Sequence, residues 1–163
     1  MPQQLAGKRP SESATEMVQV VLPNDANPLG FILGGTVMHL IDIAGAIACH
    51  RHTRSLLVTA AVDDLQFLHP IKVGDLIILK SRVTCTFTTS LEVQVDVFSE
   101  ETLTGKRLLT SRAFLTFVAV SQSGDRVPVP PLIVETENER RICAEAHARR
   151  ANRLKRRAET AGA

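Results

Sequence analysis

The residue best placed to do chemistry in this sequence is Asp42. It lies in the segment TVMHLIDIAGAIACH (residues 36–50), where it is the only acidic or basic side chain if histidines are counted as neutral. A carboxylate buried among apolar residues loses its hydration, so it requires polar partners or a raised pKa, and both conditions are typical of functional sites. We interpret Asp42 as a functional carboxylate. The alternative is that this side of the segment faces solvent or a subunit groove, and that Asp42 is simply hydrogen-bonded there.

Gly34 and Gly35 directly precede this segment. A glycine pair lets the backbone approach a ligand closely, and the free amides of a first helical turn can donate to a developing negative charge. The alternative is a tight turn that requires positive φ. The stretch GFILGG matches neither G-x-G-x-x-G nor G-x-x-x-x-G-K-[ST], so the common dinucleotide and phosphate loops are not predicted.

Other polar residues near these positions are weaker candidates. Asn27 lies in PNDANPLG, where asparagine before proline is an ordinary turn former. His39 precedes Asp42 by three residues and could form a dyad with it, but a histidine packed beside a sheet is the simpler interpretation. Cys49, His50 and His52 have no second ligand cluster elsewhere, so no metal site is predicted.

The elements that must position these residues follow from hydrophobic patterning. Residues 36–50 contain no proline and no polar stripe, which predicts a helix surrounded by other elements. Residues 90–100 alternate, with the polar side chains of Glu92, Gln94 and Asp96 opposite an apolar face. The connections between the later strands are short, which favours antiparallel neighbours. The sequence therefore predicts an α+β fold with one long antiparallel sheet wrapped around one central helix. The predicted strands are residues 17–22, 56–70, 75–88, 90–100 and 106–120.

The two ends of the chain differ from this middle. Residues 1–14 are predicted to be a disordered leader, residues 15–126 the domain, and residues 127–163 a Pro-rich linker followed by a peripheral, basic C-terminal helix. The stretch RRANRLKRR could bind phosphate groups, lie on RNA or form a solvated helix face. Because the chain has no Trp or Tyr and a net charge of only +2, no nucleic-acid partner is predicted.

Cysteine usage and hydropathy indicate a compartment. Cys49, Cys85 and Cys143 are odd in number, widely spaced and never C-x-x-C, which argues against a disulfide framework and a structural zinc site. No apolar run precedes Met17, and no run of about 18 apolar residues exists, so neither a signal peptide nor a membrane span is predicted. We expect a cytoplasmic protein.

Three stretches together carry a family resemblance. They are NPLGFILGGTVMHLIDIAGA, LQFLHPIKVGD and SLEVQV, within a similarity that runs from about Met17 to Val120. They resemble the hotdog-fold acyl-CoA hydrolases, the family of bacterial YciA-like and animal cytosolic acyl-CoA thioesterases. The resemblance implies an enzyme that hydrolyses acyl-CoA to a free acid and CoA. It requires no cofactor, because coenzyme A is part of the substrate and product.

The same resemblance implies roles for individual residues. The family's acidic residue falls on Asp42 and its loop asparagine on Asn27, and amides near Gly34 and Gly35 polarise the thioester carbonyl. The family's site forms between two subunits, with the acid from one and the asparagine loop from the other. The implied state is a homo-oligomer, a dimer at minimum and a hexamer built as a trimer of dimers.

Two expectations remain, the residues that contact the coenzyme A moiety and the alternative functions. For the CoA group we expect contacts from the turn at Thr89 and Ser90 and from the tail residues Arg149, Arg150 and Arg153. One alternative is a hotdog-fold enoyl-CoA hydratase, since D-A-N-P resembles that group's catalytic loop, although Leu29 and Gly30 follow where that group has its histidine. A second alternative is a non-catalytic acyl-CoA sensor.

Overall fold

The computed structural model describes residues 4–163 and contains one antiparallel sheet with a long helix on each face. The strands are β1 (Thr15–Val20), β2 (Leu56–Phe67), β3 (Leu76–Thr86), β4 (Ser90–Glu100) and β5 (Arg107–Val120). The helices are α1 (Pro10–Ser13), α2 (Gly34–Thr53) and α3 (Glu137–Ala161). The strand order is β1-β3-β4-β5-β2, which leaves β1 and β2 as edges. The predicted α+β hotdog arrangement is confirmed.

Helix α2 lies against the inner face of the sheet. Gly45 allows the closest approach, because a Cβ atom there would lie 3.1 Å from Val93 and 3.3 Å from Phe117. The helix and sheet bury a continuous apolar core, which is the main stabilising contribution of this layer. The helix residues in that core are Val37, Leu40, Ile41, Ala44, Ala48 and Cys49.

The sheet does not surround α2. Met38 keeps 47% of its surface exposed, and His39 is exposed beside it. The expectation that other elements of the chain enclose this helix is therefore wrong for one copy. A single sheet can cover only one side of a helix, so an apolar composition on every side leaves the second side for a surface outside this chain.

Helix α3 covers the outer face of the sheet and buries the polar side of β4. The predicted alternation of β4 is correct, yet Glu92 is only 1% exposed because α3 lies over it. Arg149 donates to both carboxylate oxygens of Glu92, at 3.0 and 2.8 Å, and Thr84 donates to Oε1 at 2.7 Å. Further along α3, Arg153 donates to Asp63 on β2 at 2.7 Å. These ion pairs therefore hold α3 against the sheet.

A disulfide joins Cys85 on β3 to Cys143 on α3, with a Cα–Cα distance of 4.8 Å. The expectation of three unpaired cysteines is therefore wrong for this pair, and Cys49 alone is free and buried. The two cysteines are 58 residues apart in sequence, and only the packing of α3 on β3 brings them together. Spacing rules for cysteine motifs do not detect a pair of this kind.

The expectation of a disordered leader is wrong for residues 8–14, while residues 1–3 lie outside the described residues. Lys8 N donates to Pro131 O at 3.0 Å, and Ser13 is fully buried. The Pro-rich segment is also packed, since His52 Nε2 hydrogen-bonds Pro130 O at 2.8 Å. Neither segment could be predicted to be ordered from its own sequence, because each obtains backbone hydrogen-bond partners from the other. The β-bridge between Lys8 and Leu132 is an example.

The edge strand β2 remains open on one side. It pairs only with β5, and it has bulges near Ala61 and between Asp63 and Gln66. Its large side chains are unusually exposed for apolar residues, including Val58 at 53% and Phe67 at 52%. None of the helices in residues 4–163 has the length and hydropathy needed to cross a membrane.

Candidate active site

Asp42 lies near the middle of α2 and faces β2. Its side chain is half-buried, and Oδ1 accepts a hydrogen bond of 2.7 Å from the Thr59 hydroxyl. Oδ2 accepts no hydrogen bond from any residue between 4 and 163. One oxygen is therefore held in position while the other can accept a proton or attack a carbon.

Asn27 is organised by its own loop. Its side-chain oxygen accepts from the backbone amides of Leu29 at 3.0 Å and Phe31 at 3.1 Å. The backbone closes the same loop, since Asn27 N donates to Phe31 O at 2.8 Å. The side-chain NH₂ group has no acceptor within the described chain, so the loop presents a hydrogen-bond donor.

Gly34 and Gly35 form the first turn of α2. The preceding residue, Leu33, gives no side-chain cap, and the amides of Gly34 and Gly35 have no acceptor among the described residues. Neither glycine has positive φ; the loop residue that does is Gly30, at φ 82°. A Cβ atom on Gly35 would meet nothing within 4 Å, so no neighbour in this chain requires a glycine there. Their absent side chains keep the helix N-terminus open.

Asn27 and Gly34 line the same cavity, of about 320 Å³. Its other walls are mostly apolar, contributed by residues such as Val37 and Phe67, with Ser111 at one side. The cavity thus combines unpaired backbone and side-chain donors with room for an acyl chain. Asp42 is not among its lining residues.

The separation between Asp42 and this cavity follows from helix geometry. Asp42 comes eight residues after Gly34 in one continuous helix, which is a rise of about 12 Å. A base and an oxyanion donor that act on the same carbonyl through one water must lie much closer, because each contact spans about 3 Å. Within one copy, Asp42 and the donors at Gly34 are therefore too far apart to act on one carbonyl through a single water.

Thr59 contacts Asp42 and was not among the candidate residues expected from the sequence. It lies on β2, 17 residues after Asp42, and its hydroxyl is the only hydrogen-bond donor to Asp42 in the part of the chain described here. A threonine in a strand is an ordinary residue, so nothing in the sequence marks it. His39 was considered as a partner of Asp42, and no hydrogen bond joins the two side chains within residues 4–163.

Of the residues expected to contact coenzyme A, Thr89 and Ser90 lie at the other end of the sheet from the Asn27 cavity. Ser90 starts β4 and pairs with Val118, whereas Phe67, which lies beside the Gly34 end of α2, pairs with Ser111. Seven strand residues separate those two positions on β5, about 23 Å. The turn at Thr89 and Ser90 and the Asn27 cavity therefore occupy opposite ends of one copy.

The three tail arginines have different surroundings. Arg149 and Arg153 are paired with the carboxylates of Glu92 and Asp63, as described above. Arg150 instead stacks over the ring of Phe87 at 4.9 Å, beside an open cleft of about 470 Å³. Of the three, only Arg150 has a guanidinium without a carboxylate partner in the described chain.

The family model of the thioesterase superfamily matches residues 29–106. The uncharacterized acyl-CoA thioester hydrolase YkhA of Bacillus subtilis is 42% identical over 128 residues, which is 78% of this chain and 74% of that protein. The human cytosolic acyl coenzyme A thioester hydrolase is 36% identical over 85% of this chain, which spans 37% of the human protein.

Solved structures are similar over nearly the whole chain. An apo-hexameric acyl-CoA thioesterase superposes with a TM-score of 0.89 at 43% identity, over 94% of this chain and 99% of that one. An acyl-CoA hydrolase from Staphylococcus aureus, solved with butyryl coenzyme A, coenzyme A and coenzyme A disulfide, has a TM-score of 0.87 at 34% identity, over 95% and 94% of the chains.

The Staphylococcus aureus hydrolase has also been solved as alanine variants of an aspartate, an asparagine and a threonine. In that protein the aspartate follows the asparagine by 15 residues, and the threonine follows the aspartate by 17. Asn27, Asp42 and Thr59 have the same spacing here. The chain belongs to the hotdog-fold thioesterase superfamily, within its acyl-CoA thioester hydrolases.

Proposed function

We propose that this acyl-CoA thioester hydrolase works through a site shared by two copies of the chain. Asp42 and Thr59 come from one copy, and Asn27, Gly34 and Gly35 come from the other. The observation that carries the proposal is the rise of about 12 Å between Gly34 and Asp42 on one straight helix. Two copies can bring these groups to a single carbonyl, and one copy cannot.

The reaction follows from the groups that each half offers. The amides of Gly34 and Gly35 and the NH₂ of Asn27 donate to the carbonyl oxygen and stabilise its negative charge as the tetrahedral intermediate forms. Asp42 removes a proton from the attacking water, and that proton passes to the departing CoA thiolate. In the alternative route Asp42 attacks the carbonyl directly and water resolves the mixed anhydride. Thr59 holds Oδ1 in either route.

The second copy is expected along β2. This strand has twelve residues, no proline, no lysine and several exposed apolar side chains, a combination that favours pairing with another chain. An antiparallel two-fold pairing there places the partner's Gly34 end beside this chain's Leu56 end, which is also the end of Ser90. The exposed side of α2 is covered by the same arrangement. We extend the proposal to a hexamer, on similarity to the hexameric thioesterase.

That arrangement brings the CoA candidates to the partner's acyl cavity. We propose that Thr89, Ser90 and Arg150 contact the CoA moiety, and that Arg149 and Arg153 serve mainly to fasten α3. No cofactor is required, because water and the thioester are the only reactants. Similarity to the human cytosolic hydrolase supports a cytoplasmic location.

The direct test is release of free thiol from a panel of acyl-CoAs from acetyl to palmitoyl. We expect turnover with at least one chain length and a loss of about 10²- to 10⁴-fold in kcat for Asp42→Asn and Asp42→Ala. Asp42→Asn is the matched variant, since its oxygen can still accept from Thr59. Near wild-type turnover in both variants would contradict the assignment.

The two alternative functions, enoyl-CoA hydratase and acyl-CoA sensor, each predict a different result. A hydratase would change the absorbance of crotonyl-CoA without releasing thiol, and a sensor would bind intact acyl-CoA without turnover. The half-buried carboxylate with one free oxygen favours hydrolysis over both.

A further inference from the structure

A cysteine pair and a histidine lie together on the outer face of the sheet, on the opposite face from Asp42. Cys85 is buried near the end of β3, and its disulfide partner Cys143 is partly exposed on α3. His147 follows Cys143 by one turn of the same helix. The two sulfur atoms and a ring nitrogen of His147 all lie within 4.8 Å of one another.

An open cleft of about 470 Å³ adjoins this cluster. His147 and Arg150 form one wall, and Thr86 and Thr88 at the end of β3 form another. Arg150 is held over Phe87 at 4.9 Å and has no described carboxylate within 4.0 Å. The cleft therefore offers a positive charge and hydroxyl groups beside His147, the residue that it shares with the cluster.

The two sulfurs differ in access. Cys143 is partly exposed, whereas Cys85 is only 1% exposed. Cys49 is fully buried and lies in the core of α2, away from the cleft. Exchange chemistry of the chain is thus confined to Cys143 as the first sulfur and Cys85 as the second.

We propose that Cys85 and Cys143 form a reversible thiol–disulfide exchange site whose co-substrate is an anionic low-molecular-weight disulfide bound in the cleft of His147 and Arg150. In the oxidising direction His147 accepts the proton of Cys143, and the thiolate attacks one sulfur of the small disulfide. One small thiolate leaves and takes up a proton. Cys85 then attacks the Cys143 sulfur, and its proton passes to the second small thiolate, which leaves as a thiol. Two electrons pass from the protein dithiol to the small disulfide, and one disulfide replaces another.

The anionic preference comes from Arg150 and from the absence of a described acidic side chain in the cleft lining. The phosphate groups of coenzyme A disulfide and the carboxylates of glutathione disulfide both meet this preference, because either can pair with Arg150. The cleft shares Arg150 with the proposed CoA contacts but does not involve Asp42. Exchange is measured by thiol and disulfide content and hydrolysis by turnover of acyl-CoA, so the failure of one proposal is distinguishable from the failure of the other.

The test uses the full-length, reduced protein freed of excess reductant. It is mixed with coenzyme A disulfide, glutathione disulfide or cystamine, a cationic control. Small thiols are quantified by chromatography and protein thiols by mass spectrometry. We expect loss of two of the three thiols, Cys49 unmodified, two small thiols released per chain, and faster exchange with the anionic disulfides than with cystamine. The faster of the two anionic disulfides identifies the source.

Three variants separate the parts of the proposal, and the first two keep both cysteines. Arg150→Gln should slow exchange with the anionic disulfides about fivefold and leave cystamine unaffected. His147→Asn should slow all three and move the pH profile of the rate upward, because the thiol then loses its proton acceptor. Cys85→Ser should trap a mixed disulfide on Cys143. Equal rates for all three disulfides in wild type, or reaction at Cys49 in place of Cys143, would overturn the proposal.

Discussion

The Thr59 hydroxyl positions the carboxylate that we propose to be catalytic. Its bond of 2.7 Å fixes Oδ1 of Asp42 and thereby directs Oδ2. We predict that Thr59→Val lowers kcat for acyl-CoA hydrolysis about tenfold. A hydrogen bond from a neutral hydroxyl to a charged carboxylate contributes about 1.5 kcal/mol. KM should change less, and Thr59→Ser should retain most of the activity. An unchanged kcat in Thr59→Val would show that Thr59 does not position Asp42 for catalysis.

At this scale the sequence is informative only where a residue breaks a pattern. Asp42 is recognisable as a candidate because a charge in an apolar helix is costly, and Gly34 and Gly35 because a glycine pair lets the backbone approach a ligand closely. Thr59 fits its strand, and Cys85 and Cys143 fit theirs, so their partnerships depend on tertiary packing alone. The functional donor of Asn27 was also hidden, because only the structure shows that its oxygen is already used by its loop.

Helix α3 depends on its ion pair with a buried strand residue. Arg149 and Glu92 are 15% and 2% exposed at their side chains, and Arg149 also stacks on Phe114 at 3.6 Å. We predict that Arg149→Met lowers the free energy of unfolding by about 3 kcal/mol, because it leaves the Glu92 charge buried without its partner. Arg141→Met, which removes an exposed pair with Glu145, should cost less than about 1 kcal/mol.

Urea unfolding of both variants measures this difference. The same proteins test whether Arg149 contacts coenzyme A, since a fastening role leaves KM for acyl-CoA unchanged in the folded Arg149→Met enzyme. A raised KM for acyl-CoA with an unaltered free energy of unfolding in Arg149→Met would show instead that Arg149 contacts coenzyme A and does not stabilise α3.

The contact between α2 and the Pro-rich segment is expected to be sensitive to pH. Burial lowers the pKa of His52 below its usual value of about 6.5, despite the hydrogen bond to Pro130 and the charge of Glu12, which act in the opposite direction. The unfolded chain therefore binds the proton more readily, so stability is lost as the pH falls below about 6.5. His52→Gln, which keeps an NH donor for Pro130 O, should show a smaller loss between pH 7 and 5.

Unfolding at several pH values checks this expectation against the wild type. An identical pH dependence in the two proteins would show that other groups cause the acid sensitivity.

Elements were predicted well where one pattern determined one element. The four later strands follow from β-rich runs and short turns, and the C-terminal helix from its composition. Contacts between distant segments were not predictable. The alternation of β4 predicted a polar face opposite an apolar one, but not that α3 contributes a charge that pairs with that face. The leader likewise obtains backbone partners from the Pro-rich segment.

At the scale of the whole molecule, we propose that each active site is shared by two copies of the chain. The sheet leaves one side of α2 and the edge of β2 uncovered, and helix geometry keeps Asp42 about 12 Å from the donors at Gly34. Both features have the same explanation in a dimer paired along β2. The apolar composition of α2 on all sides, which one sheet cannot account for, is then the sequence signature of a helix buried between two copies.

The most direct measurement is complementation between two inactive variants. Asp42→Ala removes the carboxylate from one half-site, and Asn27→Asp removes the NH₂ donor from the other while keeping the oxygen that closes its loop. Each variant alone should be nearly inactive. Equal co-expression of the two should restore about a quarter of wild-type turnover per chain, because half of the dimers are mixed and each mixed dimer has one intact site. Activity no higher than the mean of the two separate variants would contradict a shared site and place catalysis within a single chain.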